Sequence, residues 1–428
     1  MLSNEIIKTY EDILIEELQV AMGCTEPIAI AYASAIARDA LAQIPQRITI
    51  RLSGNIIKNV KSVIVPSTSG MHGIESAVAA GVVAGRYDLK LELLSVLSEQ
   101  DLEKIIEFKN SCEIILEELE SPCNFDLFIK AEADGHKVKV RISDYHTNVV
   151  LVEKNKIDLT ECYRNEGAEI GKSLKKADRS LLSVKDIVEF SDTVDLERIK
   201  PYLQRQIDMN VAIAEEGLKN DYGATIGKIL YKNGQASLKD IVKGWAAAGS
   251  DARMSGCELP VCIISGSGNQ GITASVPLVV YAREKSIDEE TMLRGVLLSD
   301  LLTIHQKTGI GTLSAYCGAI SAGVGSGAGI CYLQGGRYRE ISHTLVNAVA
   351  ILSGTICDGA KASCAAKIAM AVEAGIVGCE MAIANKQFYG GDGIVKKGVE
   401  NTIRNIGLLA RDGMSGTDKE IIKIMLGN

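Results

Sequence analysis

The chain has 428 residues, of which 46% are hydrophobic and 23% are charged, and its formal net charge is −8. This length is sufficient for a large core or two domains, and the composition is that of an ordinary globular protein rather than a disordered one. Because acidic and basic residues are interspersed, the sequence presents no basic surface for nucleic acid, and we exclude nucleic-acid partners.

The N-terminal residues do not resemble a signal peptide, since early acidic residues are not followed by an apolar segment with a cleavage site. The longest early apolar stretch, residues 28–37, is too short to span a bilayer. We therefore expect a cytoplasmic protein with no membrane partner.

The first 45 residues predict two helices. Apolar residues between positions 6 and 20 recur at approximately helical spacing, and the pattern stops near Gly23. Pro27 suits the first turn of a second helix, with Cys24 or Thr25 near its N-cap. This second helix is rich in Ala and Ile nearly all round, which predicts burial. Because a helix N-terminus can lower the pKa of a thiol, Cys24 is placed to be reactive.

Residues 46–160 predict an α+β unit. From Arg47 the apolar period changes to two, which indicates a half-buried strand through Leu52. Segments 127–133 and 137–142 predict a hairpin about Asp134-Gly135, and 148–153 predicts a further strand. The segment 98–101 resembles a capping box that opens a helix through Phe108.

A loop rich in hydroxyl groups and glycine, Pro66-Ser-Thr-Ser-Gly-Met-His-Gly73, follows a predicted strand at 62–65. His72 could move protons near neutral pH, and three hydroxyls could hydrogen-bond a polar substrate. An ordinary turn with a solvated histidine explains the same residues equally well. The candidate substrate-binding hydroxyls are those of Ser67, Thr68 and Ser69.

Beyond residue 160 the pattern is mostly helical, with a strong N-cap at Ser183 and long Ala-rich stretches near 345–385. The predicted fold class is α+β, with a mainly helical C-terminal body and an inserted α/β sheet domain. The predicted division is 1–45 as N-terminal helices that pack on the helical body, 46–160 as the sheet domain and 161–428 as the helical domain.

The segment Gly266-Ser-Gly-Asn-Gln-Gly271 matches G-x-G-x-x-G after a strand-like stretch at 261–264. A Rossmann dinucleotide site is disfavoured, because no second strand ends about 20 residues later and Pro277 interrupts the expected helix. A nest of backbone N–H groups that holds a carboxylate is the preferred interpretation, and a tight structural turn is the alternative. The candidate carboxylate-binding residues are Gly266, Ser267, Gly268, Asn269 and Gly271.

The sequence contains eleven cysteines. An odd number in a reducing compartment favours metal binding, catalysis or simple burial over a disulfide framework. Burial of a small apolar side chain is sufficient for four of them. These four are Cys112, Cys123, Cys162 and Cys262.

Three other cysteines, Cys317, Cys357 and Cys364, come from distant segments, as iron-sulfur ligands often do. On one continuous helix, the last two would stand about 10 Å apart, too far to share a cluster if both pointed outward. The pair Asp358-Gly359 predicts a turn that could bring them together. On spacing alone, Cys331 and Cys379 also remain candidate ligands.

Four segments then combine into a more specific pattern: Gly23-Cys-Thr-Glu-Pro27, Pro66-Ser-Thr-Ser-Gly70, Gly266-Ser-Gly-Asn-Gln-Gly271, and Thr355-Ile-Cys-Asp-Gly-Ala-Lys361 with Cys364. Together they resemble the L-cysteine desulfidase family, also known as UPF0597 proteins, over essentially the whole chain. This family is similar, more remotely, to the α chain of iron-sulfur L-serine dehydratases.

The resemblance implies a [4Fe-4S] cluster held by Cys317, Cys357 and Cys364, which makes 161–428 the catalytic domain, and it implies Cys24 as the proton acceptor. The implied reaction converts L-cysteine and water to pyruvate, ammonia and sulfide. A cluster with three cysteine ligands leaves one iron for the substrate thiolate. The nest would then hold the substrate carboxylate, and the hydroxyl-rich loop would help to orient it.

Three alternatives remain open at the level of the sequence. The substrate could be L-serine, as in the remotely similar dehydratases. Pyridoxal phosphate could catalyse the same elimination, since Ser267–Gly271 looks somewhat like the carboxylate loop of fold-type II pyridoxal enzymes, but no lysine stands in a recognisable context. The chain could instead be a cluster-bearing sensor that does not turn over an amino acid. Ala- and Gly-rich surfaces would permit a homo-oligomer.

Overall fold

Helix α1 (Asn4–Glu17), strand β1 (Gln19–Met22) and helix α2 (Thr25–Leu41) open the chain in the computed structural model, which describes residues 2–23, 25–121, 123, 125–164, 177–231, 236–311 and 314–426. The side chain of Ser3 caps α1 by accepting a hydrogen bond from the backbone N–H of Ile6 at 3.3 Å. No helix in these residues is both long and apolar enough to cross a membrane.

The described residues contain one large mixed sheet with strand order β3-β2-β4-β5-β6-β7. The central strand β2 pairs parallel with β3 and antiparallel with β4. The predicted hairpin is confirmed, and its turn residues Asp134 and Gly135 both have positive φ, as a primed two-residue turn requires. The strands are β2 (Arg47–Leu52), β3 (Glu113–Glu118), β4 (Asp126–Ala133), β5 (His136–Ser143), β6 (Val149–Lys154) and β7 (Ile157–Asp158).

Helices cover this sheet and connect its strands. The predicted capping box is confirmed, because the side chains of Ser98 and Asp101 satisfy each other's backbone N–H groups at the start of α5. A 3₁₀ segment covers Tyr87–Val96. The helices of this unit are α3 (Gly54–Val60), α4 (Gly73–Ala84), α5 (Glu99–Ser111) and α6 (Thr160–Tyr163).

A helical body follows, and its short strand β8 (Pro260–Ile263) pairs antiparallel with β1. The predicted cap at Ser183 is confirmed, since its hydroxyl accepts a hydrogen bond from the N–H of Asp186 at 3.1 Å. The helices of the body are α7 (Val184–Thr193), α8 (Lys200–Lys219), α9 (Ile226–Tyr231), α10 (Leu238–Met254), α11 (Gly268–Lys285), α12 (Glu289–Ile310), α13 (Gly318–Leu333), α14 (Tyr338–Leu352), α15 (Cys364–Ile383), α16 (Val399–Leu408) and, after a π-helical turn at Leu409–Gly413, α17 (Ser415–Leu426).

Two large hydrophobic cores organise the molecule. In the helical body, α1 contributes Tyr10, Ile13 and Leu14 to one core. Helix α2 belongs to the other core, where Ile28 and Ile36 pack with the inward side chains of the sheet. The expectation that both N-terminal helices pack on the helical body therefore needs correction for α2. A helix that is apolar nearly all round is able to bury against a sheet as well as against helices.

Two local expectations were wrong. Pro277 lies inside α11 rather than interrupting it, because most of the residues of this helix are buried and packing outweighs the one lost backbone hydrogen bond. Residues 62–65 form no strand, and Ile64 makes only an isolated bridge to His72. The confirmed short strand before α11 pairs antiparallel with β1 and not within a parallel sheet, which excludes a Rossmann arrangement there.

Candidate functional site

A cavity of about 430 Å³ lies between residues of the two cores. From the side of the sheet it is lined by Glu26, Lys58, Asn59, Cys123, Phe125, Asp144 and His146. From the helical body it is lined by Arg253, Ser265, Gly266, Ser267, Asn269, Gln270, Lys307, Ser314, Tyr316, Cys317, Gly318, Ala319, Cys357, Gly359, Ala360, Cys364 and Ile368. The three cysteines singled out from the sequence thus share one cavity.

Cys317 and Cys357 are held by a short antiparallel contact that centres on the bridge between Tyr316 and Ile356. The N–H of Cys317 donates to the carbonyl of Thr355 at 3.0 Å, and the N–H of Cys357 donates to that of Ala315 at 2.6 Å. The two cysteines are therefore diagonal neighbours on the same face of the pair, where side chains stand about 7–8 Å apart. Cys317 is also the N-cap residue of α13.

Cys364 reaches the cavity from the first position of α15. The turn predicted at Asp358-Gly359 does not form there, since the chain bends and turns at residues 360–363 instead; Gly359 has φ 94°, and the Cys364 thiol lies 3.7 Å from its carbonyl oxygen. A Cβ on Gly359 would stand 2.1 Å from the carbonyl oxygen of Lys58, so only glycine fits this approach. The non-helical segment between Cys357 and Cys364 lets both cysteines line the same cavity.

Two lysines C-terminal to Asp358 hold this segment in place. Lys367 forms an ion pair with Asp358 at 2.6 Å, and Lys361 pairs with the same carboxylate. Burial raises the pKa of Asp358, but the two ammonium groups outweigh it and hold that pKa at about 2. The loop between Cys357 and Cys364 is therefore held by ion pairs in addition to the close approach of Gly359 to Lys58.

Burial raises the pKa of two of the cavity thiols. Burial, with smaller contributions from the other cavity cysteines, raises the pKa of Cys317 to about 12. Burial also raises the pKa of Cys364. Metal binding at these residues would have to displace protons and would therefore depend on pH.

Three cationic side chains face the same space. Lys307 is 4% exposed and has no ion pair among the described residues, and burial lowers its pKa to about 8. Lys58 pairs with Asp418 of α17. Arg253 donates to the carbonyl of Gly23 at 2.9 Å and to the side-chain oxygen of Asn269 at 3.2 Å. The cavity is therefore suited to anions, and its cationic side chains come from three separate helices.

Unsatisfied polar atoms point to a missing ligand. The Nε of Arg253, the Oε1 of Gln270 and the Nε2 of His146 are buried without a hydrogen-bond partner among the described residues. All three side chains line the cavity. Since buried polar groups in proteins are nearly always paired, a bound polar group is expected here.

The predicted carboxylate nest lies partly on the cavity. Gly266, Ser267 and Asn269 line it at the N-terminus of α11, where free N–H groups favour an anion. Gly268 and Gly271 are not among the lining residues. A Cβ would stand 2.4 Å from the Nε of Arg253 at Gly268, and 1.9 Å from the carbonyl oxygen of Cys262 at Gly271, so both glycines serve close packing.

The hydroxyl-rich loop does not contribute to the lining of the cavity in the described residues. Thr68 is buried, and its hydroxyl donates to the carbonyl of Val65 at 2.7 Å. Ser67 and Ser69 both have positive φ, at 57° and 52°. Pro66 packs against Gly23 so closely that a Cβ there would approach it to 2.5 Å. A direct substrate contact from Ser67, Thr68 or Ser69 stays a prediction.

Cys24 lies outside the described residues, so its predicted role is untested by the geometry. The residues on either side of Cys24 lie at or beside the cavity. Arg253 holds the carbonyl of Gly23, and Glu26 lines the cavity. The carboxylate of Glu26 accepts from Asn59 at 3.0 Å and from the hydroxyl of Thr25 at 3.1 Å.

Sequence reasoning missed several lining residues. Lys307 lies in the last turn of α12 among other polar residues, so no local pattern marked it as buried. His146 had no signal in the sequence, and it packs its ring against Phe125 at 4.6 Å between centroids. Burial lowers the pKa of His146. The expectation of burial for Cys123 and Cys162 was wrong: Cys123 lines the cavity and Cys162 is exposed.

The remaining cysteines lie elsewhere. Cys112 and Cys262 are buried, as predicted. Cys331 and Cys379 are buried in α13 and α15 and do not line the cavity. Spacing alone leaves Cys331 and Cys379 as candidate ligands, but the fold places both outside the cavity of the other three thiols.

Within the described part of the chain, no group of three His, Cys, Asp or Glu side chains is gathered closely enough to hold a single metal ion. A single ion needs all its ligand atoms within about 2–2.5 Å, whereas a four-iron cluster spreads its cysteine ligands around a larger body. Three thiols around one cavity, with nearby cations and unsatisfied polar atoms, fit a cluster better than a lone ion.

Comparisons with known proteins identify the family of the chain. The family model described as the serine dehydratase alpha chain matches residues 88–423. A UPF0597 protein of Desulfitobacterium hafniense is 52% identical over 98% of this chain and 96% of the relative. UPF0597 proteins of Finegoldia magna and Treponema denticola are 47% and 44% identical, over 98% and 97% of this chain and 100% and 97% of their own lengths.

Proposed function

Because the chain belongs to the serine dehydratase alpha chain family and, within it, to the UPF0597 proteins, we propose that it is an iron-sulfur lyase that eliminates sulfide from L-cysteine. L-cysteine and water would give pyruvate, ammonia and sulfide. The observation that carries the proposal is the single cavity lined by Cys317, Cys357, Cys364 and an unpaired buried lysine. That combination supplies soft metal ligands and a site for an anionic amino acid.

The cofactor in this proposal is a [4Fe-4S] cluster held by Cys317, Cys357 and Cys364. When bound through three cysteines, such a cluster supplies an iron without a protein ligand that acts as a Lewis acid toward the substrate sulfur. The chemistry of the donor set supports this choice, because the three thiols line one cavity beside buried cations. The raised pKa values of Cys317 and Cys364 mean that iron must compete with protons at these two residues.

The substrate carboxylate would lie at the N-terminus of α11. Ser267 and Asn269 line the cavity there, and Arg253 holds the side chain of Asn269 in place. The helix dipole and the free N–H groups of the first turn favour a carboxylate at this position. Lys307, which also lines the cavity, would add positive charge in its protonated form.

Proton abstraction at Cα is assigned to Cys24. A thiolate near a helix N-terminus is a suitable base, and the hydrogen bond from Arg253 to Gly23 fixes the preceding peptide beside the cavity. Departure of the sulfur leaves an aminoacrylate, which hydrolyses to pyruvate and ammonia without help from the protein.

The experiment is an anaerobic assay of the reconstituted protein for iron, sulfide and pyruvate. We expect about four irons per chain, and we expect each of the changes Cys317→Ala, Cys357→Ala and Cys364→Ala to abolish iron binding. Cys379→Ala is the matched control, since this thiol is buried outside the cavity, and it should keep its iron. Full iron retention in any one of the three variants removes that residue from the ligand set.

L-serine is the second candidate substrate, because the matched family model is named for serine dehydratase. Thiolate is a softer ligand for iron and a better leaving group than hydroxide, so we expect higher kcat/KM for L-cysteine. Pyruvate formation from each amino acid under strict anaerobiosis decides between them. Equal or better turnover of L-serine would reject the desulfidase assignment and leave the cluster intact, and pyridoxal released by hydroxylamine would reject the cluster mechanism.

A further inference from the structure

A second cavity, of about 550 Å³, lies in the helical body and shares no lining residue with the first. Its walls come from α14, from the segment 387–390 and from residues 396–399, which lead into α16. Its volume falls within the range of small-molecule sites, about 300–1,000 Å³. The proposed lyase chemistry makes no use of it.

The cavity is positively charged although the chain is acidic overall. Arg339, Lys396 and Lys397 line it, and no aspartate or glutamate does so among the described residues. Neither lysine forms an ion pair with any other described residue. Arg339 pairs with Glu340 at 2.8 Å, and Glu340 lies outside the lining. In a chain of net charge −8, two unpaired lysines in one concave site favour an anionic ligand.

The backbone adds to this charge. Gly398, the N-cap of α16 with φ 89°, and Val399, its first residue, both line the cavity. The first N–H groups of a helix have no partner within the helix and attract anions. The carboxylate of Glu400, in the same turn, instead accepts from the N–H of Val184 at 2.7 Å and contacts His305 at 2.8 Å. It does not line the cavity.

A buried serine supplies an independent sign of a missing ligand. Ser342 lines the cavity and is 9% exposed, and its hydroxyl has no hydrogen-bond partner among the described residues. A helical serine commonly donates to the carbonyl four residues earlier, and Ser342 does not. Its hydroxyl is available to a polar group that enters the cavity.

Aromatic side chains form the other wall. Tyr338, Phe388 and Tyr389 line the cavity, although aromatic residues make up only 4% of the chain. Tyr338 is 45% exposed and Tyr389 is 64% exposed. The segment that bears them is anchored, since the N–H of Phe388 donates to Asn347 at 3.0 Å and that of Tyr389 to Asp392 at 2.7 Å. Exposed rings beside a cationic recess favour a planar group on the ligand.

We propose that this second cavity binds a nucleoside phosphate, with its phosphate on Lys396, Lys397 and the N-terminus of α16 and its base against Tyr338 and Tyr389. The two halves of the ligand match the two chemically different walls of the site. Binding there does not depend on the proposed lyase activity, since the two cavities share no residue.

Isothermal titration calorimetry of the full anaerobically reconstituted protein tests this with AMP, adenosine and inorganic phosphate as probes. AMP should bind about tenfold or more tightly than either fragment, because only AMP uses both walls. Equal affinities for AMP and inorganic phosphate would overturn the proposal, because the rings would then contribute nothing. No detectable heat from AMP up to millimolar concentration would overturn it as well.

Substitutions of residues that line the cavity test whether AMP binds there. The double change Lys396→Gln with Lys397→Gln should weaken AMP binding about tenfold or more, and Tyr389→Ala should weaken AMP but not phosphate. Lys285→Gln, an exposed lysine on α11 outside the cavity, is the matched control and should leave the affinity unchanged. An unchanged AMP affinity in the double variant would place the ligand elsewhere and reject the site.

Discussion

Asp300 is a fully buried carboxyl group in the middle of α12. Its Oδ1 accepts a hydrogen bond from the side-chain amide of Gln206 at 3.0 Å, and its Oδ2 has no partner among the described residues. Burial raises its pKa to about 8. At neutral pH this side chain is therefore mainly protonated, unlike a carboxyl group in the unfolded chain, whose pKa is about 4.

This difference links stability to pH. Because the folded chain holds a proton that the unfolded chain releases, the contribution of Asp300 to the free energy of unfolding falls as pH rises from about 4 to about 8, and it is constant above that. Asp300→Asn keeps the acceptor for Gln206 without a titrating group. Its stability relative to the wild type should therefore increase between pH 5 and pH 8 in urea unfolding. Parallel pH profiles for the two proteins would contradict a raised pKa.

Cys24 is the proposed general base. Cys24→Ala should keep the iron of the wild type and lose about 10²- to 10⁴-fold in kcat, because that is the usual contribution of a general base. Iron content and turnover measured on the same anaerobic sample separate the two roles. Loss of iron in this variant would make Cys24 a cluster ligand instead of a base.

At the scale of elements, α13 and α15 approach each other through glycines. A Cβ on Gly327 would stand 2.4 Å from the Cα of Gly375, and one on Gly323 would stand 2.4 Å from the carbonyl carbon of Ala371. Such contacts allow the backbones of two helices to pack closely. Cys317 and Cys364 precede and begin these two helices, so their packing sets the position of two of the cavity thiols.

Gly327→Ala should therefore destabilise the protein by about 1–3 kcal/mol, as overpacking of a tight contact usually does. Its atomic neighbours are backbone atoms, which cannot rotate away. Gly416→Ala is the control, because no atom lies within 4 Å of the added methyl group on α17, and it should be neutral or slightly stabilising. Urea midpoints measured anaerobically compare the two, and equal midpoints would show that the helices separate at little cost.

At the scale of the whole molecule, α17 contacts the sheet unit and connects it to the helical body. Lys58, with a side chain only 1% exposed, forms an ion pair with Asp418. Lys61 of the sheet unit hydrogen-bonds the carbonyl of Met425, and Ile422 packs over Gly54. Because Lys58 also lines the cavity, its ion pair with Asp418 connects α17 to the candidate site.

Asp418→Asn should cost about 3 kcal/mol of unfolding free energy, since it leaves the buried ammonium of Lys58 without its counter-charge. Glu420→Gln on the same helix is the matched control: its pair with Lys423 is more than 60% exposed on both sides and should contribute less than about 0.5 kcal/mol. Denaturant unfolding measures both. A loss no larger in Asp418→Asn than in Glu420→Gln would show that Lys58 finds another partner.

Local patterns in the sequence determined much of the secondary structure. The capping box at Ser98, the hairpin at Asp134-Gly135 and the cap at Ser183 are each set by contacts within a few residues, which is why they were predictable. The mixed α+β class followed from the change in apolar period. The segment between Cys357 and Cys364 is non-helical, as expected, and both cysteines line one cavity, but the chain turns at residues 360–363 and not at Asp358-Gly359.

Tertiary structure decided which residues that are distant in the sequence contact each other. Pairing of Tyr316 with Ile356 brings Cys317 beside Cys357 across forty residues, and no local pattern encodes that contact. The same limit explains why α2 was expected on the helical body and why Pro277 was expected to end a helix: burial against distant elements outweighs local preference. His146 and Lys307 join the cavity for this reason, since a side chain acquires its role there only when two cores meet around it.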